Sequence, residues 1–538
     1  MKYNTFFKQR IQTPQSAPIP GKKMTRNSNF GYSFEVDQWK RLQRFIILGT
    51  EGGSFYASEQ TLTIENANNA LDCIRMDGLR VVRETVAISD EGRAPKNDPA
   101  IFVLALAAAK GDEATRRAAL AALPKVCRTG THLFQFAEYV QTFRGWGRGL
   151  RRGVAAWYAA QEPRSLAYQT VKYRQREGWT HTDLLRLAHP KPGSEAQGAI
   201  FKWIARPEEA GWARDIRQPE DTALAFIWAF ERAQQAQNAE TVVQLIEQYD
   251  LPREALPAQW LNEPAVWAAL LEKMPMTAML RNLGVMARVG LLTEFSDAEA
   301  TIVGRLGSAE LLRKARIHPI AVLSALRVYA QGRGMRSEAT WKPTARVVDA
   351  LDSAFHLAFK NVEPANKRLM LALDVSGSMS AGVIAGVPGL TPRDASAALA
   401  LVTARTEPQY AITAFSHQMV PLNISAKMRL DDAIKAVSYL PFGATDCALP
   451  MLYALEKRLK VDTFVVLTDS ETWYGKIHPA EALWQYREQM GIPAQLVVVA
   501  MVSNRFSIAD PDDAAMLDIA GMDTSTPQLI SDFARGNI

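Results

Sequence analysis

Cysteine and histidine, the residues on which disulfide frameworks and zinc sites depend, are scarce in this sequence. There are 3 cysteines and 7 histidines among 538 residues. Cys73, Cys127 and Cys447 are far apart in the chain, and none belongs to a CxxC pair. The sequence therefore predicts neither a disulfide framework nor a structural zinc site, and a reducing compartment is expected.

Long apolar runs and nucleotide-binding loops are also missing. No run approaches the roughly 18 apolar residues of a membrane-spanning helix, and the N-terminus MKYNTFFKQRIQ lacks the apolar core of a signal peptide. The glycine loop TEGGSFY lacks the GK[ST] that would complete a phosphate-binding loop. We expect a cytoplasmic protein with no membrane partner and no nucleotide cofactor.

Charge is present in quantity but is unevenly distributed. The net charge is +6. From Glu363 to the C-terminus there are 14 basic and 19 acidic residues, whereas the preceding part has 48 basic and 37 acidic residues. The basic N-terminal two thirds therefore indicate an acidic partner such as nucleic acid.

The pattern of apolar residues divides the chain into three parts. Residues 1–33 are polar, basic and proline-containing, which predicts a flexible arm that either docks on another surface or, more typically, is disordered. Residues 34–361 show one short helical period after another, separated by turns, which is typical of HEAT-like helical repeats. Residues 362–538 alternate strands and helices, which predicts an α/β doubly wound domain. Within this last part we expect an antiparallel edge strand at 418–422 and a helix at 512–520.

The first strand of the α/β part ends in an oxygen-rich turn. Asp374, Ser376 and Ser378 alternate in DxSxS, so the turn can direct one carboxylate and two hydroxyls at a single point. Because the motif offers oxygen and neither imidazole nor thiolate, it favours a hard divalent cation such as Mg2+ over zinc. Taken alone, the motif is more typical of a serine-rich turn that binds nothing, and the metal site is favoured only together with the segments described next.

Two later segments supply further oxygen ligands. Thr445 lies in PFGATD before a helix, and Asp469 follows a second buried strand. In an open parallel sheet the loops at the carboxyl ends of strands converge, so these residues are expected beside DxSxS. The set resembles the metal-ion-dependent adhesion site of von Willebrand factor A domains. That resemblance implies a metal held directly by Ser376 and Ser378, and held by Asp374, Thr445 and Asp469 directly or through water.

Catalytic interpretations of this turn are weaker. A phosphotransferase of the DxDx(T/V) type needs a second carboxylate where Ser376 stands, and VSGSM is not the G-x-S-x-G elbow of a hydrolase. A Mg2+-dependent nuclease needs several carboxylates around the metal and a positioned base, whereas this site offers two carboxylates. We therefore predict a binding site and not an enzyme.

A second candidate site lies in the most basic segment, residues 144–191. Ten lysines and arginines there accompany only three acidic residues, with aromatic residues and histidines interleaved. Lysine and arginine bind phosphates, while unpaired bases stack on aromatic or guanidinium planes, so this mixture indicates structured or single-stranded RNA. The candidate RNA-binding residues are Arg148, Arg151, Lys172, Arg174, Arg176, His181, His189 and Lys191.

Spacing suggests roles for some of these residues. Lys172 and Arg176 are four residues apart and are expected on one helix face, with no acidic residue between them. His181 is expected to cap the helix that follows it, and His189, at a helix end, is expected to face a ligand.

The same segment allows a purely structural interpretation, in which the arginines form a solvated face. We favour binding for the arginines because a solvated face normally mixes charges of both signs. For the aromatic residues Trp157, Tyr158 and Tyr168, helical spacing favours a position in the core.

Several longer strings point to one family over almost the whole chain. They are TEGGSFY, VKYRQREGW, HTDLLRLAHPKP, MPMTAMLRNLG, KARIHP, LALDVSGSMS, FGATDC, TDSET and ADPDD. Together they resemble the Ro sixty-kilodalton autoantigen family, which joins a TROVE domain to a von Willebrand factor A domain. The composition, rich in alanine and arginine, suggests a bacterial member. The segment AGVIAGVPGL after the metal turn departs from the family pattern.

The resemblance implies a ring of HEAT-like repeats closed by the A domain. The outer surface of such a ring binds small noncoding Y RNAs, at positions matched here by Lys172 and Arg176. Its central hole takes single-stranded 3′ ends of misfolded noncoding RNAs, near the position of His189. The resemblance also implies a role in RNA quality control, with a 3′–5′ exoribonuclease, or another protein bound through the A domain, as a partner.

We therefore predict a non-enzymatic RNA-binding protein with a Mg2+ site. The alternative is a metal-dependent protein-adhesion module, in which an acidic side chain of a partner completes the metal's ligands. The two functions can coexist in one chain, with RNA on the helical part and protein on the A domain.

Overall fold

The structure is a computed structural model that describes residues 12–334, 338–359, 362–384, 389–441 and 443–538. The chain forms two compact units. The α/β unit consists of residues 1–69, 93–96 and 359–538, and the helical unit of residues 70–92 and 97–358. Residues 1–11 of the predicted arm and residues 385–388 of AGVIAGVPGL lie outside the described residues.

The secondary structure confirms a helical part followed by an α/β part. In chain order the elements are β1 (Met24–Arg26), β2 (Tyr32–Glu35), α1 (Gln38–Leu48), α2 (Glu59–Glu91), α3 (Asp98–Lys110), α4 (Glu113–Ala121), α5 (Leu123–Val126), α6 (Gly130–Arg144), α7 (Arg148–Ala159), α8 (Pro163–Lys172), β3 (Gln175–Arg176), β4 (Trp179–Thr180), α9 (His181–Ala188), α10 (Glu195–Ala205), α11 (Thr222–Gln234), α12 (Ala239–Tyr249), α13 (Pro264–Lys273), α14 (Met276–Arg288), α15 (Asp297–Leu306), α16 (Ala309–Lys314), α17 (Pro319–Ala330), α18 (Ala345–Leu357), β5 (Leu369–Asp374), α19 (Pro392–Thr406), β6 (Tyr410–Phe415), β7 (Met419–Val420), α20 (Leu430–Ser438), α21 (Leu449–Glu456), β8 (Thr463–Thr468), α22 (Pro479–Met490), β9 (Gln495–Ala500), β10 (Phe506–Ser507), β11 (Met516–Ala520) and α23 (Thr526–Arg535).

Apart from the long α2, which is kinked at Asp77, short helices that pack on their neighbours build the helical unit. Side chains cap many of their N-termini; for example, Asp112 accepts from Thr115 N–H and Asn238 from Thr241 N–H. Helix α3 is almost wholly apolar and packs on α4 and α6, while α8 packs on α10 and α11. No helix in the described parts of the chain is long and apolar enough to cross a membrane.

The sheet of the α/β unit places the ends of β5 and β8 side by side. Its strand order is β11-β9-β8-β5-β6-β7, with β7 antiparallel to β6 and the other pairs parallel. The chain proceeds from β5 to β6 in one direction and from β8 to β11 in the other. The switch point therefore lies between β5 and β8, where ligands bind in open α/β sheets.

The predicted doubly wound domain is confirmed, including the antiparallel edge strand, which is β7. The predicted helix at 512–520 is wrong, because residues 516–520 form β11 and pair with β9. This segment is alanine-rich and carries little strand signal of its own. Its conformation is decided by the unpaired edge of β9, whose hydrogen-bonding groups it satisfies.

Residues 12–33 of the predicted arm are docked within the α/β unit and are not disordered. Buried Gln15 donates through Nε2 to Asp446 Oδ1 (2.7 Å) and to the Ile477 carbonyl (2.9 Å). β1 pairs with β2, and β2 pairs with β10. The polar residues that indicated disorder form hydrogen bonds instead, because their donors bind acceptors on loops of the α/β unit.

Gly31 in this segment gives a first test, since Gly31→Ala is expected to destabilise the α/β unit by about 1 to 3 kcal/mol. An added Cβ would lie 2.1 Å from the Thr472 carbonyl oxygen and 2.8 Å from Trp473 Cα, and both are backbone atoms. Denaturant unfolding measures the change. The control is Gly304→Ala in α15, where nothing lies within 4 Å of the added Cβ; it should stabilise by about 0.5 to 1 kcal/mol. A Gly31→Ala protein as stable as the wild type would contradict the packing.

Candidate metal centre and nucleic-acid interface

Four of the predicted metal ligands meet where β5 and β8 end. Asp374 is the last residue of β5, and Asp469 follows β8 directly. Asp374 Oδ1 accepts from the Ser376 backbone N–H (2.9 Å), and the hydroxyl oxygens of Ser376 and Ser378 are 3.1 Å apart. The Ser378 hydroxyl lies close enough to the Asp469 carboxylate to lower its pKa, against the larger effect of burial. All four side chains are buried.

Thr445, the fifth predicted ligand, is buried on a loop that is tied to the same turn. The Gly377 N–H donates to the Gly443 carbonyl (3.4 Å), and the Thr445 carbonyl accepts from Trp473 N–H and Tyr474 N–H (3.1 Å each). Within the described residues, no hydrogen bond joins the Thr445 hydroxyl to the other four side chains. The structure therefore places the five residues at one edge of the sheet, with Thr445 the most loosely connected.

Burial and mutual repulsion disfavour the charged forms of the carboxylates in and beside this site. Burial, and then the Asp374 carboxylate, raise the pKa of Asp469 to about 7. Burial also raises the pKa of Asp374, and burial together with the Asp469 charge raises the pKa of Glu471 to about 8. The nearby Arg393 guanidinium donates to the Val375 backbone carbonyl. Carboxylates crowded in this way are stabilised by a bound cation.

The chemistry of the donors fits a hard divalent cation, because carboxylate and hydroxyl oxygens are the ligands that Mg2+ prefers. Within the described ranges there is no group of three or more His, Cys, Asp or Glu side chains able to hold a metal ion. A metal at the end of β5 would therefore depend on the hydroxyls of Ser376 and Ser378 as well as on Asp374 and Asp469.

Two residues that lie beside the candidate metal ligands were not predicted from the sequence. Thr468, the last residue of β8, donates through Oγ1 to Asp374 Oδ2 (2.6 Å). The Tyr56 hydroxyl accepts from Asn29 Nδ2 and lies near Ser378. Thr468 could have been predicted, because it directly precedes the candidate ligand Asp469 in the sequence. Tyr56 lies in TEGGSFY, more than 300 residues away in sequence, and no local pattern connects it to the turn.

The prediction that Lys172 and Arg176 lie on one helix face is wrong. Helix α8 ends at Lys172, and Arg176 belongs to β3, which pairs with β4. Glu177 and Gly178 have positive φ values of 51° and 79°, and they form the two-residue turn between the strands. Arg176 forms an ion pair with Glu177 (2.9 Å). Lys172 therefore ends α8, and Arg176 lies beside the turn of the hairpin that follows.

The remaining predicted residues differ in exposure. Lys172 is half-buried, and its Nζ donates to the Tyr168 hydroxyl (3.0 Å). His189 is the left-handed C-cap of α9 and is exposed. The other exposed candidates are Arg148, Arg151, Arg174, Arg176 and Lys191.

His181 neither caps α9 nor reaches the surface, in contrast to the prediction. Thr180 is the N-cap, in a capping box with Asp183. The His181 side chain is 3% exposed, and its Nδ1 lies 2.7 Å from the Tyr158 hydroxyl. Burial lowers the pKa of His181 to about 4, so the ring is neutral at physiological pH. Trp157 and Tyr158 are fully buried, as their helical spacing predicted.

Comparison with known proteins identifies the family. The TROVE domain family matches residues 25–327, and the Ro60 vWA domain family matches residues 368–534. The chain belongs to the Ro60 family. The Deinococcus radiodurans protein named RNA-binding protein RO60 is 43% identical over 530 residues, which are 98% of each chain. The Caenorhabditis elegans protein of the same name is 36% identical over 95% of this chain and 90% of its own.

The fold agrees with a solved Ro60-family structure. The crystal structure of the Deinococcus radiodurans RO (RSR) protein matches with a TM-score of 0.71 and 43% identity, over 93% of this chain and 100% of that one. The TROVE match begins at residue 25, whereas residues up to 69 belong to the α/β unit. The family's sequence boundary and the compact units therefore do not coincide at the N-terminus.

Proposed function

We propose that this chain is an RNA-binding protein whose helical unit carries the RNA site. The observation that carries the proposal is a set of exposed basic side chains on and around α7 to α9. Arg148, Arg151, Arg152 and Lys191 are exposed, and among the described residues none of them has an ion-pair partner. Unpaired surface arginines and lysines are the groups that bind a phosphate backbone. The relatives named RNA-binding protein RO60 support the same function.

The proposal extends to the RNA class and to the cellular role. Y RNA binds beside Lys172 and Arg176, and single-stranded 3′ ends of misfolded noncoding RNA bind beside His189. The protein acts in RNA quality control without catalytic activity, in the cytoplasm, together with a 3′–5′ exoribonuclease. These assignments rest on the family motifs and on the exposure of Arg176 and His189.

A filter-binding titration with a Y-like stem-loop RNA tests the proposal, across a salt series and with or without EDTA. We expect tight binding that weakens steeply with salt, because each phosphate contact releases counterions. EDTA should not change the affinity. No binding under any of these conditions would refute the RNA-binding function.

The double variant Lys172→Ala with Arg176→Ala is expected to weaken Y RNA binding by at least a few-fold at moderate salt. Its salt dependence should also be shallower, because each lost phosphate contact removes about 0.7 to 0.9 from the logarithmic slope. The matched control is Lys435→Ala with Lys457→Ala, which removes two exposed positive charges from the α/β unit. An unchanged affinity, or an equal loss in both double variants, would place the RNA elsewhere.

A second function, metal-dependent protein adhesion, is favoured by the buried oxygen cluster at β5 and β8. Asp374, Ser376, Ser378, Thr445 and Asp469 would hold Mg2+, which supplies a positive charge that can accept an anionic ligand. An acidic side chain of a partner protein has that chemistry. Such binding should be abolished by EDTA and should not depend on Lys172 or Arg176.

A further inference from the structure

The helical unit contains a cleft of about 530 Å3 that the sequence did not predict. Residues of the β3–β4 hairpin, α9, α10 and α11 form its wall. Two candidates for RNA binding, Arg174 and His181, line it. A cleft of this volume lies within the usual range for a bound small molecule or nucleotide.

One wall of the cleft is a planar cationic surface. The Arg174 guanidinium lies over the ring of buried Phe230, 4.7 Å from its centroid. Trp203 supports Phe230 edge to face, with 6.0 Å between the ring centroids. Arg174 is exposed and has no ion-pair partner within the described residues. Because Phe230 covers one face of the guanidinium, the other face is held ready to stack on a flat ligand.

Polar groups line the cleft beside this stack. Trp203 Nε1 donates to Glu231 Oε1 (3.0 Å), and Arg214 Nε lies 3.5 Å from Glu231 Oε2. This pairing fixes the Glu231 carboxylate and leaves the terminal nitrogens of the exposed Arg214 available to an anion. With a neutral His181, the ionised groups lining the cleft are two arginines and one glutamate, so their net charge is positive.

We propose that this cleft receives one unpaired nucleotide of a bound RNA, with its base stacked on Arg174 and its phosphate beside Arg214. Unpaired bases stack on guanidinium planes, and arginine binds phosphate through paired N–H groups. An acidic peptide would satisfy the charge but would leave the stacking surface unused. The proposal rests on the RNA-binding function and names the part of the RNA that the hairpin recognises.

The test compares two stem-loop RNAs, one fully paired and one with a single bulged 2-aminopurine. The full-length protein is expected to quench the 2-aminopurine fluorescence on binding. Arg174→Ala should lose this quenching and bind the bulged RNA about 5-fold or more weakly, because stacking on one base contributes that much. Its affinity for the paired RNA should change much less. Arg174→Lys, which keeps the charge and loses the plane, should also fail to quench.

Arg152→Ala on α7 is the matched control, because it removes one exposed arginine outside the cleft. It should weaken both RNAs equally and retain the quenching. Circular dichroism establishes that each variant is folded. If Arg174→Ala also weakened both RNAs equally and retained the quenching, the proposed nucleotide cleft would be refuted. The RNA-binding function would not be affected by that result. Failure of the wild type to bind either RNA would overturn the proposed function itself. Displacement of the bulged RNA by millimolar AMP would assign the cleft to free nucleotides instead.

Discussion

Arg44→Ala is expected to lower the free energy of unfolding of the α/β unit by about 3 to 5 kcal/mol. Arg44 lies on α1 and is 1% exposed. Its guanidinium donates to the Phe506 carbonyl (2.9 Å) and forms an ion pair with buried Asp518 on β11. Alanine would leave the Asp518 carboxylate buried, and among the described residues its remaining side-chain donor would be Ser507 Oγ, at 2.6 Å. The loss therefore includes the cost of an uncompensated buried charge.

Because the chain has two compact units, global unfolding need not be a single transition. Hydrogen exchange of the β5 and β8 amides, followed by mass spectrometry, reports on the α/β unit alone. The double variant Arg44→Met with Asp518→Leu removes both charges and should recover much of the loss. Arg117→Ala on exposed α4, which breaks a surface pair with Glu113 at 3.9 Å, should change stability by less than about 0.5 kcal/mol. Unchanged β5 and β8 exchange in Arg44→Ala would show that the buried pair does not support the sheet.

Asp374→Asn is expected to abolish binding of a divalent cation to the α/β unit. The amide keeps the shape of the carboxylate but removes one of the two buried carboxylates of the proposed metal site. In the wild type, Mg2+ at 100 times its Kd should stabilise the folded unit by about 2.7 kcal/mol, and the variant should show no such gain. In EDTA the variant should be at least as stable as the wild type, because the repulsion of Asp469 has been removed.

Isothermal titration with Mg2+ measures the loss directly, and melting temperatures with and without EDTA measure its effect on stability. Asp432→Asn on α20 is the control, since this exposed carboxylate lies 3.4 Å from Lys435 Nζ on the surface. It should bind Mg2+ as the wild type does. RNA affinity should be the same in all three proteins. Undiminished Mg2+ binding by Asp374→Asn would exclude the cluster as the metal centre, and a parallel loss of RNA affinity would mean that the metal turn affects the RNA site.

The sequence of the basic segment did not predict correctly where the side chains of Arg176 and His181 lie. A separation of four residues indicated one helix face for Lys172 and Arg176, but positive φ at Glu177 and Gly178 closes a hairpin there. His181 was expected to cap α9 and was a candidate for RNA binding, and the structure buries it against Tyr158. Charge and composition locate a binding region, whereas which face each side chain occupies depends on neighbours that spacing does not reveal.

The local sequence determined the buried strands, the turns that follow them and the short helices. The buried strands β5 and β8, the DxSxS turn after the first and Asp469 after the second follow from apolar runs that end in polar turns. The helical unit follows from repeated short helical periods with capping residues.

Only the tertiary structure decided the contacts between residues far apart in the chain. The pairing of β2 with β10 joins residues more than 450 positions apart, and it gives order to a segment whose composition is typical of a flexible arm. The same holds for Tyr56 beside Ser378 and for the cleft around Arg174. Such contacts depend on which unpaired backbone and side-chain groups the folded sheet and helices leave available, and these groups exist only once the fold has formed.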